Sequence, residues 1–355
     1  MMQSEPKQSE LAPYQQLDLW YDSADQGGPP RVLDDMDVSF LHKSFCIAGL
    51  PLRAPKNPKE PYTRNDNRFA LTIAPNSFML PGGEMVHVGI PYGPKSRLLA
   101  MWMATEVRDH ERRPDNRWLE IGRVTHWLRS IGVEPVSGRR GSLNAVKDQL
   151  VRLAFSQFTM VMKNGTVGDT MFKSDRLIES SVFEDGDFEL YLRGDLGKMA
   201  WPKGIELSER AFDRFRKYSI PVPTARLAKI AHSAMAIDIF AFLCYRLPHL
   251  SPRETELVTW RQLISQFGSG ETPSKFRETF EASIRCALDA YPEANVDLRL
   301  KEGLLMRWSD PAELRRAFFV VPTLPAPETS SLSPSVEGTA KPVRNFRKTI
   351  KGDAS

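Results

Sequence analysis

Apolar residues recur along the chain with two periods, and the changes between them mark out elements. Phe69–Ile73 (FALTI) and Met85–Ile90 (MVHVGI) read as strands, with Pro81-Gly82-Gly83 between them supplying a turn. A helix starts at Pro94, where a proline's missing N–H costs nothing, and runs through KSRLLAMWMATEV to about Val107. A short strand, Trp118–Ile121, precedes a short helix over Val124–Ile131 that Gly132 ends. The Gly- and Arg-rich turn Ser137–Gly141 leads to a longer helix from Ser142 to about Phe158. Strand-like Thr159–Lys163 and Leu177–Phe183 follow, joined through Asn164-Gly165 and a long polar loop.

A similar layout begins near Trp201. Ser208 caps a helix, and Leu207 staples onto Phe212 inside it. After PVPTARLAKIAH comes a strongly apolar helix over Ala234–Tyr245, closed by Pro248. A short helix, Thr259–Phe267, ends at Gly268. Thr272-Pro273 then open a long helix to about Tyr291, and Asn295–Leu300 and Leu304–Trp308 form a hairpin. Each layout thus runs helix, short helix, turn, longer helix, hairpin. This is the order of a winged helix, a helix-turn-helix with a β-wing. The expected fold class is α+β. Two tandem winged-helix domains, at 41–200 and 201–320, are expected between disordered ends at 1–40 and 321–355.

Composition fits a chain of this kind. Its 355 residues are 41% hydrophobic and 26% charged, enough apolar content for two cores. Three scattered cysteines (Cys46, Cys244, Cys286) make no disulfide framework, and no run approaches a membrane span, so a cytoplasmic protein is expected. The N-terminus lacks the pattern of a signal peptide. Charge changes the picture more. The total is +4, but residues 1–40 hold Lys7 and Arg31 against eight acids, a net −6, so the remainder carries +10. The Pro/Ser-rich tail ends in KPVRNFRKTIK, five cations with no acid between them. Excess positive charge draws phosphates, which makes nucleic acid the leading partner class; a merely basic soluble protein is the plainer alternative.

The longer helices are the candidate groove readers. At about 100° per residue, Leu143, Val146, Leu150, Leu153 and Ala154 share an inner face of the first. Asn144, Asp148 and Arg152 fall opposite, with Lys147 on the flank. Asp148 suits either a cytosine amino group or a pair with Arg152. The DNA-binding candidates here are Arg139 and Arg140 in the preceding turn, Ser142 at the helix start, Asn144, Lys147 and Arg152. In the second, Phe276, Phe280, Ser283, Ile284, Ala287 and Tyr291 face inward. Ser274, Lys275, Arg277 and Arg285 are the outward candidates, tempered by Glu278 and Glu281, and Lys301 marks the wing tip.

No P-loop spacing occurs: Gly194–Lys198 and Gly268–Gly270 both depart from it. The six histidines form no HxH or HExxH pair. A binding protein without cofactor, metal site or catalysis is expected, with an origin-nicking enzyme as the alternative of another class.

Four blocks carry a family resemblance: Val88–Glu106 (VGIPYGPKSRLLAMWMATE), Leu128–Leu153 (LRSIGVEPVSGRRGSLNAVKDQLVRL), Leu207–Leu250, and Thr259–Trp308 with TWRQLISQFG, KFRETFEASIRCALDAYP and GLLMRW. Over residues 69–310 the chain resembles plasmid replication initiators of the RepA type. The resemblance implies paired winged-helix domains that bind directly repeated origin sequences, or iterons, in double-stranded plasmid DNA. It further implies melting of an adjacent AT-rich segment, recruitment of host DnaA and the replicative helicase, and autorepression and copy control as a homodimer. A transcriptional repressor of the same architecture is the alternative within this class. The two terminal arms lie outside the resemblance.

Overall fold

The structure, a computed structural model, describes residues 38–42, 49–66, 69–108, 116–134, 136, 141–163 and 170–309. The acidic arm up to residue 37 and the chain from residue 310, including the basic tail, lie outside the described residues. In chain order come β1 (Val38–His42), β2 (Tyr62–Asp66), β3 (Phe69–Ala74), β4 (Asn76–Met79), β5 (Met85–Val88) and α1 (Gly93–Arg108). Next are β6 (Trp118–Glu120), α2 (Gly122–Ser130), α3 (Ser142–Phe155), β7 (Gln157–Lys163), β8 (Thr170–Arg176), β9 (Ile178–Ser181) and α4 (Asp187–Leu192). Then follow β10 (Gly204–Leu207), α5 (Glu209–Tyr218), β11 (Ser219–Pro223), α6 (Thr224–Ile230) and α7 (Ala234–Arg246). The last are β12 (Thr255–Thr259), α8 (Trp260–Phe267), α9 (Pro273–Ala290), β13 (Val296–Arg299) and β14 (Gly303–Arg307). The mixture is α+β, and no helix among the described residues is long and apolar enough to cross a membrane.

Local chemistry explains most of these ends. Ser208 caps α5 by accepting from the N–H of Ala211, and Ser233 caps α7 by accepting from Ala236. Thr259 and Gln262 close a reciprocal capping box on α8, and Thr272 accepts from Lys275 at the start of α9, where Pro273 fills the first position. The hairpin β13–β14 returns onto β12, giving the antiparallel order β12-β14-β13. At Gly303 the two strands approach so closely that a Cβ would lie 2.1 Å from the carbonyl oxygen of Val258, and φ is +139°. Only glycine fits there.

The two layouts differ in their sheets. In the second, the strand before the short helix pairs directly with the hairpin. In the first, β7–β8 instead extends β2 and β3 in the order β2-β3-β7-β8, while β6 pairs with β10 in the order β6-β10-β9. The segment read as a long polar loop before Leu177 contains β8, an edge strand whose polar residues mask its alternation. Val38, Ser39 and Phe40, read as part of the arm, are buried in β1, which pairs with β11. Ser39 accepts from Trp127 Nε1 at 3.1 Å and shares a 2.9 Å hydrogen bond with Thr224.

One hydrophobic core runs from Val38 to Met306 and draws on both stretches, 41–200 and 201–320. Its centre is the contact between α1 and α7, the opening helices of the two layouts. Residues 98–104 of α1 are all buried, as is every residue of α7 from Ala234 to Tyr245. Between them Arg97 and Asp238 form a bidentate ion pair with both N–O distances 2.6 Å, and both residues are buried. The remaining N–H groups of Arg97 donate to the carbonyls of Leu50, Pro51 and Gly93, so all five guanidinium donors are used. Gly49 passes so close that a Cβ would lie 2.4 Å from Asp238 Oδ2. Replacing Asp238 with Ala would leave a buried, unpaired guanidinium. The expected loss is about 3–5 kcal/mol, read from urea unfolding, whereas a loss below about 1 kcal/mol would show the pair to be dispensable.

Candidate nucleic-acid interface

Sequence reading pointed to two helices, and the structure treats them differently. α3 is enclosed on both sides. Its inner residues Val146, Leu150 and Leu153 join the main core, as expected. Its opposite side meets a second apolar cluster built from Val86, Val88, Val151 and Met199, with Phe78, Phe155, Phe188 and Leu196 packed around it. Phe78 stacks on Phe155 at 4.5 Å, and Phe188 meets both rings edge-on. The covering pieces are the β4–β5 hairpin and the segment around α4, whose positions no helical period in α3 could reveal.

The outward placement expected for Asn144 and Arg152, and the flank position expected for Lys147, are therefore corrected. Asn144 is buried, its amide facing the close passage of Gly197. Lys147 is 8% exposed, and its ammonium donates to the carbonyls of Leu196, at 3.3 Å, and Met199. It also lies over the Trp201 ring. Burial lowers its pKa, partly offset by Asp187. Arg152 pairs with Asp148 one turn earlier, Nε lying 2.9 and 2.8 Å from the two carboxylate oxygens, and covers the Tyr92 ring. Burial works against its charge, but the Asp148 hydrogen bond and charge prevail and hold its pKa above the ordinary arginine value. Of the two options for Asp148, the intrahelical pair is the one formed. Ser142 sits at the start of α3, where its hydroxyl donates to Glu134 O at 2.5 Å and accepts from Val136 N at 2.9 Å. Arg139 and Arg140 lie outside the described residues.

α9 keeps one face free. Phe276, Phe280, Ser283, Ile284 and Ala287 are buried, and Trp260 meets Phe280 edge-on at 5.8 Å beneath it. Ser274, Lys275, Arg277, Arg285 and Lys301 are all exposed. Lys275 pairs with Glu278 at 2.9 Å and Arg285 approaches Glu281 at 3.9 Å. Such exposed pairs contribute at most about 1 kcal/mol, so either cation can exchange its carboxylate for a phosphate. Arg277 lies 5.1 Å above the Trp260 ring, a contact that holds its guanidinium against the start of α8. The β13–β14 hairpin is tied to α8 by Trp260 Nε1, which donates to Leu300 O at 2.9 Å beside Lys301.

Two arginines at this end were passed over in the sequence. Arg261, exposed in the first turn of α8, follows the capping threonine, and that position was its only signal. Arg64 in β2 is buried; its Nη2 donates to Gly268 O at 2.8 Å and its Nε to the Tyr62 hydroxyl at 2.9 Å. It thereby fixes the turn between α8 and α9 from a strand about 200 residues earlier. No periodicity announces such a contact. Among the described residues no group of three or more His, Cys, Asp or Glu side chains gathers as a metal site.

Residues 90–262 match the family model for plasmid encoded RepA protein. The match supports a plasmid replication protein of the RepA family. It covers just under half of the chain, from the loop before α1 into α8, and so spans parts of both layouts while leaving out α9 and the hairpin after it. No curated protein and no solved structure matches the chain.

Burial divides Lys147 from the cations of α9. Arg285→Gln is expected to lower the magnitude of the salt slope of DNA binding by about 1, as loss of one phosphate contact requires. Lys147→Ala is expected to lower the thermal midpoint and leave that slope unchanged. Fluorescence anisotropy across a salt series, beside thermal unfolding, measures both; a slope altered only in the Lys147 variant would reverse the assignment.

Proposed function

We propose that this protein initiates plasmid replication by binding repeated duplex sequences at its origin, with α9 as the groove-reading helix. The observation that carries the reading is the arrangement of the second layout. A helix, strand, two helices and a hairpin follow in order, the hairpin closes on the strand, and the second of the paired helices leaves one face exposed. A winged helix would have this order of elements, which supports the reading. Its groove-reading helix would present Ser274, Lys275 and Arg277 through its N-terminal half and Arg285 farther along. Lys301 would lie against backbone from the wing. Arginine on this face can contact guanine bidentately or neutralise phosphate, and lysine acts as a point charge.

In this reading the protein carries no catalytic step of its own. Binding energy spent on bending and untwisting the origin makes an adjacent AT-rich tract easier to open, because flexible steps deform at least cost. Host DnaA and the replicative helicase would then be recruited to the opened strands, and a homodimeric form would repress its own gene. The family match and the net positive charge of the chain beyond its acidic arm support the reading.

The test is binding of the full chain to duplexes carrying the direct repeats that flank its gene, against scrambled duplexes of equal length. The expected preference is on the order of 10³-fold or more at physiological salt. Arg277→Gln is expected to erode that preference on the repeats more than it weakens binding to scrambled DNA. A footprint confined to an operator, with no repeat bound, would favour the repressor. Nicking of supercoiled origin DNA in Mg²⁺, or a covalent protein–DNA adduct, would replace binding with catalysis.

A further inference from the structure

Among the described residues three arginines are buried: Arg64, Arg97 and Arg226. An arginine keeps its charge at any ordinary pH, so a buried guanidinium calls for an anion. Two of the three have one. Arg97 holds Asp238, and Arg226 holds Glu293 through two nitrogens at 2.6 and 2.5 Å. Arg64 is 7% exposed and pairs with no carboxylate among the described residues. Its Nε donates to the Tyr62 hydroxyl and its Nη2 to Gly268 O, and both partners are neutral. Its Nη1 is buried and meets no acceptor. A buried donor left unmet is costly, and a native fold retains one where something else is to fill the place.

Arg64 lines a cleft of about 320 Å³ between β2 and the turn that joins α8 to α9. Residues 62–65 form one side, and Ser265 with the turn 268–270 forms the other. The volume lies at the small end of the roughly 300–1,000 Å³ of small-molecule sites, but the lining is polar where most such sites are apolar. Thr63, Asn65, Ser265 and Ser269 bring hydroxyl and amide groups to it. The Ser265 hydroxyl makes only a long 3.4 Å contact to Asn65 O, and the Tyr62 hydroxyl accepts from Arg64 while keeping its own proton to donate. One acid adjoins the turn. Glu271 accepts from Ser269 N at 2.9 Å and from Ser269 Oγ at 2.6 Å, so its carboxylate is engaged by the turn itself. Burial works to raise its pKa, but those hydrogen bonds and the charge of Arg53 outweigh it and hold the group ionised.

We infer that this cleft binds a small phosphate-bearing molecule through its terminal phosphoryl group. The guanidinium of Arg64 supplies the charge and a fixed N–H direction, and the hydroxyls around it take the remaining oxygens. Depth selects among phosphates. A phosphodiester within a duplex carries an ester link on either side and lies on a convex rod, so it meets exposed cations rather than a recessed nitrogen. A terminal phosphoryl group has a single link and three free oxygens, and it enters end-on. The position gives binding a consequence, because the same guanidinium holds Gly268 in the turn from which α9 departs. A ligand there would stiffen that turn. The inference goes beyond the origin-binding reading and stands without it.

The experiment titrates the full chain, without DNA, with inorganic phosphate, adenosine monophosphate and dimethyl phosphate, at an ionic strength held constant with chloride, and follows the heat of binding. Saturable one-to-one binding of phosphate or of adenosine monophosphate is expected, and the tighter of the two identifies the source as the free ion or a nucleotide. Dimethyl phosphate, a diester without a terminal phosphoryl group, is expected not to bind. Arg64→Gln is expected to weaken binding about tenfold or more, as loss of a charge-assisted hydrogen bond requires. Arg64 also ties β2 to the turn, so that variant loses stability as well. Ser265→Leu, at an exposed position, fills the cleft instead and is expected to abolish binding while the thermal midpoint of the unliganded chain stays unchanged. No saturable binding of either phosphate or adenosine monophosphate overturns the inference. Binding unaffected by Ser265→Leu overturns it too, since the anion would then sit elsewhere on a basic chain. Dimethyl phosphate bound as tightly as inorganic phosphate would assign the cleft to a diester backbone and likewise overturn it.

Discussion

The ion pair of Arg97 with Asp238 constrains this molecule more than any other polar contact. Two charges taken out of water are tolerated only when each lone pair and each N–H is met, and here the guanidinium meets the carboxylate twice and three backbone carbonyls besides. The consequences spread outward. The chain at residues 49–51 must lie against both opening helices, and Gly49 is needed because any side chain there would strike the carboxylate. With α1 and α7 locked together, the cores of the two layouts merge into one. β2, a few residues farther on, is then carried across to the second layout, where Arg64 grips the turn between α8 and α9.

That shared core also explains why two similar local sequences of elements have different surroundings. α9 packs one face inward, against Trp260 and the helix α7, and leaves the other in solvent. α3 begins with the same kind of amphipathic pattern but is covered on its second side by the β4–β5 hairpin and the segment around α4. A lysine on such a covered side loses hydration, so Lys147 recovers hydrogen bonds from the carbonyls of Leu196 and Met199 and serves as a brace. The exposed cations of the two longer helices accordingly lie on α9.

The cations of the two longer helices differ in what they are free to do: Lys147 is held by two backbone carbonyls, and those of α9 stand in solvent. A groove-reading face needs side chains that can leave weak partners, and the exposed pairs of Lys275 and Arg285 meet that condition.

Sequence alone determined whatever depends on neighbours along the chain. The caps at Ser208 and Thr272, the hairpin after α9 and the inward and outward residues of α9 follow from local hydrogen bonding and the 3.6-residue period, and they stand as read, whereas the helix read to about Phe158 ends at Phe155, where β7 takes over the chain. Tertiary structure alone decided what depends on residues far apart. The burial of Asn144 and Lys147 comes from a hairpin some 60 residues earlier and a segment some 50 residues later. The strand β8 was hidden because an edge strand needs apolar residues on only part of its length. Arg97 reads in the sequence as one more cation in an amphipathic helix. Its role emerges only when Asp238, 141 residues away, is folded against it, because the cost of burying a charge is set by the partner that meets it and no local period encodes that partner.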